Sequence, residues 1–369
     1  RCEASYNWES GFHLEYGPTV TDCVFQDCVA NYNGQSYSDP RGAVWGAGYL
    51  TFGYQDVTKT RCTGIGNAGG TFYSADRYPV EQKTVSGYGY TYSVSGTTVK
   101  NTGGTTVYTG SSFTTALQWA CSQANAVVRI PGGTYSVTGQ ITLASGVCLY
   151  GGIDLNEWFS SPGSPTILNF PGTSADEGFA IHNVDNVRMN LLRINNGNVE
   201  ITADGGDTVS NIKLRGLIVN EASSLHPAAI YSYCASGSTI DGLDIGACEA
   251  KAAHTDGFRF AGAGSSTNAW LKNLKLTCCN ALSCGQTSPR YGDSVGFRLG
   301  EGVNIQTVTV VGCDAEYSYC SGFYFSTGSQ ISGSLTDCEA QYNGQKGDTA
   351  NGAGYQLNGY PVTMTNCVG

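Results

Sequence analysis

The side chains able to do chemistry recur at intervals along this chain instead of gathering in one motif. In His254-Thr255-Asp256-Gly257-Phe258-Arg259, and again in Asp293-Ser294-Val295-Gly296-Phe297-Arg298, an arginine follows a Gly-aromatic pair and an aspartate stands just ahead of it. The residue after the aromatic is Tyr324 in Gly322-Phe323-Tyr324, Gln356 in Gly354-Tyr355-Gln356 and His13 in Gly11-Phe12-His13. If each aromatic faces a core, strand alternation turns the next residue outward. Arg259, Arg298, Tyr324, Gln356 and His13 would then line one groove. Paired arginines suit the carboxylates of a uronate sugar, Tyr324 or His13 could act as base or acid, and Asp256 and Asp293 could do general acid work. The bland alternative is a solvated face. No Asp-Asp, Gly-His-Gly, Arg-Ile-Lys or dense Asp/Glu calcium cluster accompanies the row. His226 and His182 read as turn or surface residues.

What must position these residues is a repeat of aromatic and cysteine. Phe12 to Cys28 is 16 positions, as is Phe297 to Cys313. If Gly369 were joined directly to Arg1, Tyr355 to Cys2 would also be 16, and Tyr355 to Phe12 would be 26, the step from Phe297 to Phe323. The round opened by Tyr355 therefore reads as lacking its cysteine unit, which Arg1-Cys2-Glu3-Ala4 supplies. Gly369, Arg1, Cys2 and Cys367 mark the expected junction.

Periods of 20 to 50 residues with short β-branched strands, such as Ile212-Lys213-Leu214 and Val308-Thr309-Val310, indicate a solenoid. Coils stacked at about 4.8 Å turn equivalent positions into columns. The expected aromatic column is Phe258, Phe297, Phe323, Tyr355, Phe12, Tyr49 and Phe72. The cysteine column is Cys248, Cys279, Cys313, Cys338, Cys2, Cys28 and Cys62. Tyr317, Tyr342, Tyr6 and Tyr32 form a tyrosine column, and Asn343, Asn7, Asn33 and Asn67 an asparagine ladder. Stacked identical side chains stabilise flat sheets, so these columns are structural. Neighbouring column cysteines fall within disulfide reach, and buried thiols packing as small hydrophobes are the alternative.

Composition narrows the function classes. The 369 residues carry a net charge of -10, only 13% are charged, and Gly (51) and Tyr (23) are abundant, a turn-dense β profile. No Lys/Arg run exists to bind nucleic acid, and no apolar stretch approaches the roughly 20 residues of a membrane span. The 15 cysteines point to an oxidising, extracellular setting. Their spacing lacks paired Cys-x2-Cys units, which argues against zinc, and no cofactor motif is present. The odd count leaves at least one thiol unpaired or bonded between molecules.

Ser112 caps a helix expected over 113–124, followed by strands ending in Pro131-Gly132-Gly133-Thr134-Tyr135 and in Gly146-Val147-Cys148-Leu149-Tyr150-Gly151. This order resembles the opening of right-handed parallel β-helices of the pectate-lyase-like superfamily, at motif level over 113–152 and in repeat style over 153–369 and 1–74. The resemblance implies an all-β solenoid whose helix covers the open N-terminal end of the stack, and it raises the prospect of a lyase, epimerase or hydrolase acting on acidic polysaccharide. His254-Thr255-Asp256-Gly257 is only loosely similar to the Asn-Thr-Asp-Gly of polygalacturonases. In the family the helix sits near the start of the chain; here 112 residues precede it. The expected division is coils over 1–74 that continue the stack ending at 369, a Gly/Ser/Thr/Tyr-rich linker or ribbon over 75–112, the cap, and the main β-helix over 125–369.

Three arrangements explain a repeat split between the two ends: subunits stacked head to tail into a fibre, a circular permutant, or the tail of a separate β-helix. The first is favoured, an extracellular structural protein whose partners are copies of itself. A polysaccharide-active or polysaccharide-binding β-helix is the alternative.

Overall fold

The computed structural model describes residues 90–151, 165–220, 225–264, 268–285, 294–326, 330–344 and 353–369, together with the backbone pairing of seven short strands between Glu3 and Ser74. The chain forms two units, Arg1–Tyr88 and Gly89–Gly369. In the larger unit the strands fall into three sheets. The long sheet has twelve strands: an antiparallel ribbon (Tyr92–Ser95, Thr98–Asn101, Thr106–Thr109), then parallel strands from Val127–Arg129 to Val362–Thr365. An eight-stranded alanine sheet runs from Gly133–Ser136 to Glu339–Gln341, and an eight-stranded aromatic sheet from Gln140–Thr142 to Tyr355–Gln356. Each strand pairs with the one three places further along the chain, so every circuit adds one strand to each sheet. This is a parallel β-helix, the class expected from the sequence.

Period-two burial makes the walls. In Trp270–Thr277, Leu271, Leu274 and Leu276 are buried to 1% exposure or less, while Lys272 and Lys275 face away. The extra residue between Leu271 and Leu274 is absorbed at Asn273, whose φ is 53°; Asn211, Gly242 and Thr307 occupy the same left-handed conformation in neighbouring coils. Single left-handed residues also make two corners. Ala247, Cys278, Gly312, Asp337 and Asn366 turn the chain from the long sheet into the alanine sheet, and Ala252, Ser283, Tyr317 and Tyr342 turn it into the aromatic sheet. This explains the vicinal pair Cys278-Cys279: the first is the corner and the second belongs to the cysteine column.

Four members of the expected aromatic column stack in the larger unit. Phe258, Phe297, Phe323 and Tyr355 are in register, their rings stacked at 4.6, 4.7 and 5.1 Å. Phe12, Tyr49 and Phe72 are in backbone register with one another within the smaller unit. Tyr317 and Tyr342 stack at 5.0 Å on the surface. Of the expected asparagine ladder only Asn343 is described; it accepts from Ser318 N and donates to Ala315 O. Asn169, Asn195 and Asn220 form a different ladder in the alanine sheet, with Asn195 donating to Asn169 at 2.7 Å.

The Gly-aromatic and Cys-x-Ala motifs depend on each other. A Cβ on Gly296 would stand 2.8 Å from Gly322 O and 2.9 Å from Ala315 Cβ; one on Gly322 would stand 2.8 Å from Ala340 Cβ. Glycine column and alanine column thus pack face to face where the alanine sheet gives way to the aromatic sheet.

The N-terminal end of the stack is closed. Residues 92–109, expected as linker or ribbon, are an ordered ribbon whose strand Tyr92–Ser95 pairs with Val127–Arg129. The cap is helix α1 (Phe113–Cys121), shorter than expected because Ser122 already serves as C-cap and Asn125 takes a left-handed turn. Ser112 and Thr115 form a reciprocal capping box. Phe113, Ala116, Leu117, Ala120 and Cys121 face the core. Gln118 both donates to Thr142 O (3.0 Å) and accepts from Thr142 N (2.9 Å), satisfying the edge strand beneath it.

At the other end the structure corrects one expectation and decides between two alternatives. The round opened by Tyr355 does have its cysteine: Cys367 follows Cys338 in the column, since Glu339 bridges Val368 and Val368 N donates to Cys338 O at 2.9 Å. The spacing hid it because the last long-sheet strand has only four residues, against eight in Asn304–Val311. In addition, the column members Cys248, Cys279, Cys313, Cys338 and Cys367 are thiols, not disulfides. Arg1, Cys2, Cys28 and Cys62 lie outside the described residues.

Candidate functional site

Register sets the expected row side by side on the aromatic sheet: Arg259 pairs with Arg298, Arg298 with Tyr324, and Tyr324 with Gln356. Glu200 and Tyr231 extend it toward the cap. The row is less solvated than expected. Arg298 is 7% exposed and Asp256, at the start of the neighbouring strand, only 2%.

The burial has an electrostatic cause. Arg298 Nε lies 2.6 Å from Asp256 Oδ2 and Arg298 Nη2 3.2 Å from Asp256 Oδ1, a two-point pair across adjacent coils. Asp256 Oδ1 also accepts from Val295 N at 2.9 Å. The Arg298 guanidinium stands over the Tyr324 ring at 5.2 Å. Arg259 is held by Glu301, with Nε at 2.7 Å and Nη2 at 2.6 Å from Glu301 Oε2, and its Nε is 3.9 Å from Asp256 Oδ2. Two guanidinium groups therefore meet two carboxylates, and each arginine is matched within the protein. Asp256 is committed as an acceptor, which opposes a general acid role. Burial raises the Tyr231 hydroxyl above its usual range, partly offset by Arg259.

Glu301 was not foreseen. Gly300, with φ 83°, adds a residue to the strand so that Ala261 pairs with Glu301 instead of Gly300. Simple alternation from Arg298 places residue 300 on the outer face and so misses the carboxylate. Asp293 lies outside the described residues. His13 sits in a strand of the smaller unit whose side chains are likewise outside them.

Other ionisable groups lie away from the row. His182 is half exposed, as expected, with Nε2 2.9 Å from Asp204 Oδ2. Hydrogen bonds from Asn183, then His182, hold the Asp204 carboxyl below its usual range. His226 lies in a bend, one of the two places expected, but is 2% exposed; its carbonyl accepts from Thr255 Oγ1 at 3.0 Å, tying it to the next coil. On the alanine sheet, Glu249, Asp314, Glu316 and Glu339 are all buried. Burial raises Glu316 to about 7, and raises Glu249 against the opposing charges of Lys251 and Arg193. Among the described residues no group of three His, Cys, Asp or Glu side chains could hold a metal ion, and no helix is long and apolar enough to cross a membrane.

No protein-family model and no curated protein matches the sequence. Two solved structures are similar in part. A protein described as Geobacillus virus E2 ORF18 is 15% identical, with 69% of this chain and 57% of that one covered, at a TM-score of 0.34. The A-module of the Azotobacter vinelandii mannuronan C-5 epimerase AlgE6 is 14% identical, with 69% and 93% covered, at a TM-score of 0.24. The chain thus spans little more than half the length of the virus protein.

Proposed function

We propose that this chain is an extracellular structural protein, a β-helical rod segment that associates end to end with copies of itself. The observation that carries the reading is the unequal treatment of the two ends of the stack. The first is closed by the ribbon and by Gln118 of α1. At the other, Val362–Thr365 and Tyr355–Gln356 each pair on one side alone among the described residues. An uncovered parallel edge is a template for another strand. The strands between Glu3 and Ser74 suit that edge: they pair in parallel in three separate sets and repeat the Gly-aromatic register. In this reading they are supplied by the next copy, and a contact of this head-to-tail kind builds a filament. The matched arginines agree with a scaffold role, since Glu301 and Asp256 already pair with Arg259 and Arg298.

Light scattering combined with negative-stain microscopy tests this. Rods with an axial repeat set by one β-helix segment are expected. A monodisperse particle of 38.8 kDa at high protein concentration would sink the proposal and favour completion of the edge by the same chain.

The continuous Arg259-Arg298-Tyr324 row supports a second reading, an acidic polysaccharide bound or cleaved on the aromatic sheet. Activity on a polyuronate that disappears in Arg298→Ala while the variant stays folded would favour it.

A further inference from the structure

Five cysteines line the corner that enters the alanine sheet, in the order Cys248, Cys279, Cys313, Cys338 and Cys367. The first four are no more than 1% exposed, and Cys367, in the final coil, is half-buried. Within this column a soluble oxidant can therefore reach Cys367 first. Its column neighbour is Cys338. The Glu339–Val368 bridge and the bond from Val368 N to Cys338 O set the two cysteines at the same position of adjacent coils. Strands in register lie about 4.8 Å apart, inside the Cα separation that a disulfide spans. The Cys367 thiol lies against the carbonyls of Leu335 and Thr365, and the Cys338 thiol against those of Val310 and Thr336. Cys367, the more exposed member of the pair, is thus the thiol that a soluble reagent meets first.

We propose that Cys338 and Cys367 form a redox modification site that a low-molecular-weight disulfide, such as oxidised glutathione, closes into a clamp on the terminal coil. The Cys367 thiolate attacks one sulfur of the reagent, breaking its S–S bond, forming a mixed disulfide and releasing one thiolate, which takes up a proton. Cys338 then gives its proton to solvent, and its sulfur attacks Cys367 Sγ, expelling the second reagent thiol. Two protein thiols are oxidised, and one disulfide is reduced to two thiols. The new bond ties the strand Val362–Thr365, which pairs on one side alone among the described residues, to the coil beneath it. Cys279 and Cys313 are as close in register but fully buried, so the same reagent leaves them reduced.

The full-length native chain, incubated with oxidised glutathione and mapped by peptide mass analysis, tests this. The expected product is one intramolecular disulfide joining the peptides that contain Cys338 and Cys367, with amide exchange over residues 362–368 slowed about tenfold. Cys338→Ala should trap glutathione on Cys367, and Cys367→Ser should leave Cys338 reduced. A wild-type chain that stays fully reduced, retains glutathione on Cys367, or pairs Cys367 with another cysteine overturns the proposal.

Discussion

The charged residues of the aromatic sheet work mainly on each other. Arg298 and Asp256 are both buried and paired, and removing one would strand the other in a poorly solvated site. Glu316 is a different case, a carboxyl raised by burial to about 7. The folded chain keeps that proton up to about pH 7, whereas the unfolded chain releases it near the usual carboxylate value, about 4.3. Between those limits the folded state holds more protons, so stability falls as pH rises through the window and stays low above it. Glu316→Gln should remove that fall and stabilise the protein at pH 8 by up to roughly 3 kcal/mol, with little effect at pH 4. Urea titrations at the two pH values check this; equal effects at both would refute the burial argument.

At the scale of the element, the repeat is a packing constraint. Gly296 is required by its neighbours, since an added methyl meets Gly322 O and Ala315 Cβ within 3 Å. Gly296→Ala should lower stability by about 1–3 kcal/mol. Ala315→Gly in the same chain should restore only part of the loss, because the Gly322 carbonyl cannot yield as a methyl can. Full rescue, or no initial loss in chemical denaturation, would contradict the face-to-face packing of the two columns.

At the scale of the molecule, the β-helix has one guarded end. Leu117, on the core face of α1, is fully buried, and the helix also bonds the Gln140–Thr142 edge through Gln118. Leu117→Asp would bury an unpaired charge at a cost of several kcal/mol and lift the cap from that edge. The variant should retain a β-type circular dichroism spectrum yet aggregate irregularly from its N-terminal end. Rods or monomers indistinguishable from wild type would show that the ribbon alone closes the stack.

The fold was legible because a solenoid writes itself in one dimension. Each coil contacts the next at a fixed offset, so Phe258, Phe297, Phe323 and Tyr355 announce their stack by spacing alone, and Ser112 announces the cap. The sequence by itself determined the class, the aromatic stack of the larger unit, and the adjacency of Arg259, Arg298 and Tyr324. Only the tertiary structure decided what that row does. Gly300 adds the residue that brings Glu301 to Arg259, and burial joins Asp256 to Arg298, turning an apparent anion groove into internal pairs. Only the structure, too, placed Cys367 in the column, because a short final strand breaks the spacing. Periodicity encodes which residues are neighbours along the stack; left-handed residues, bulges and strand lengths then shift individual side chains by one position, and charge pairing depends on distances that no spacing specifies.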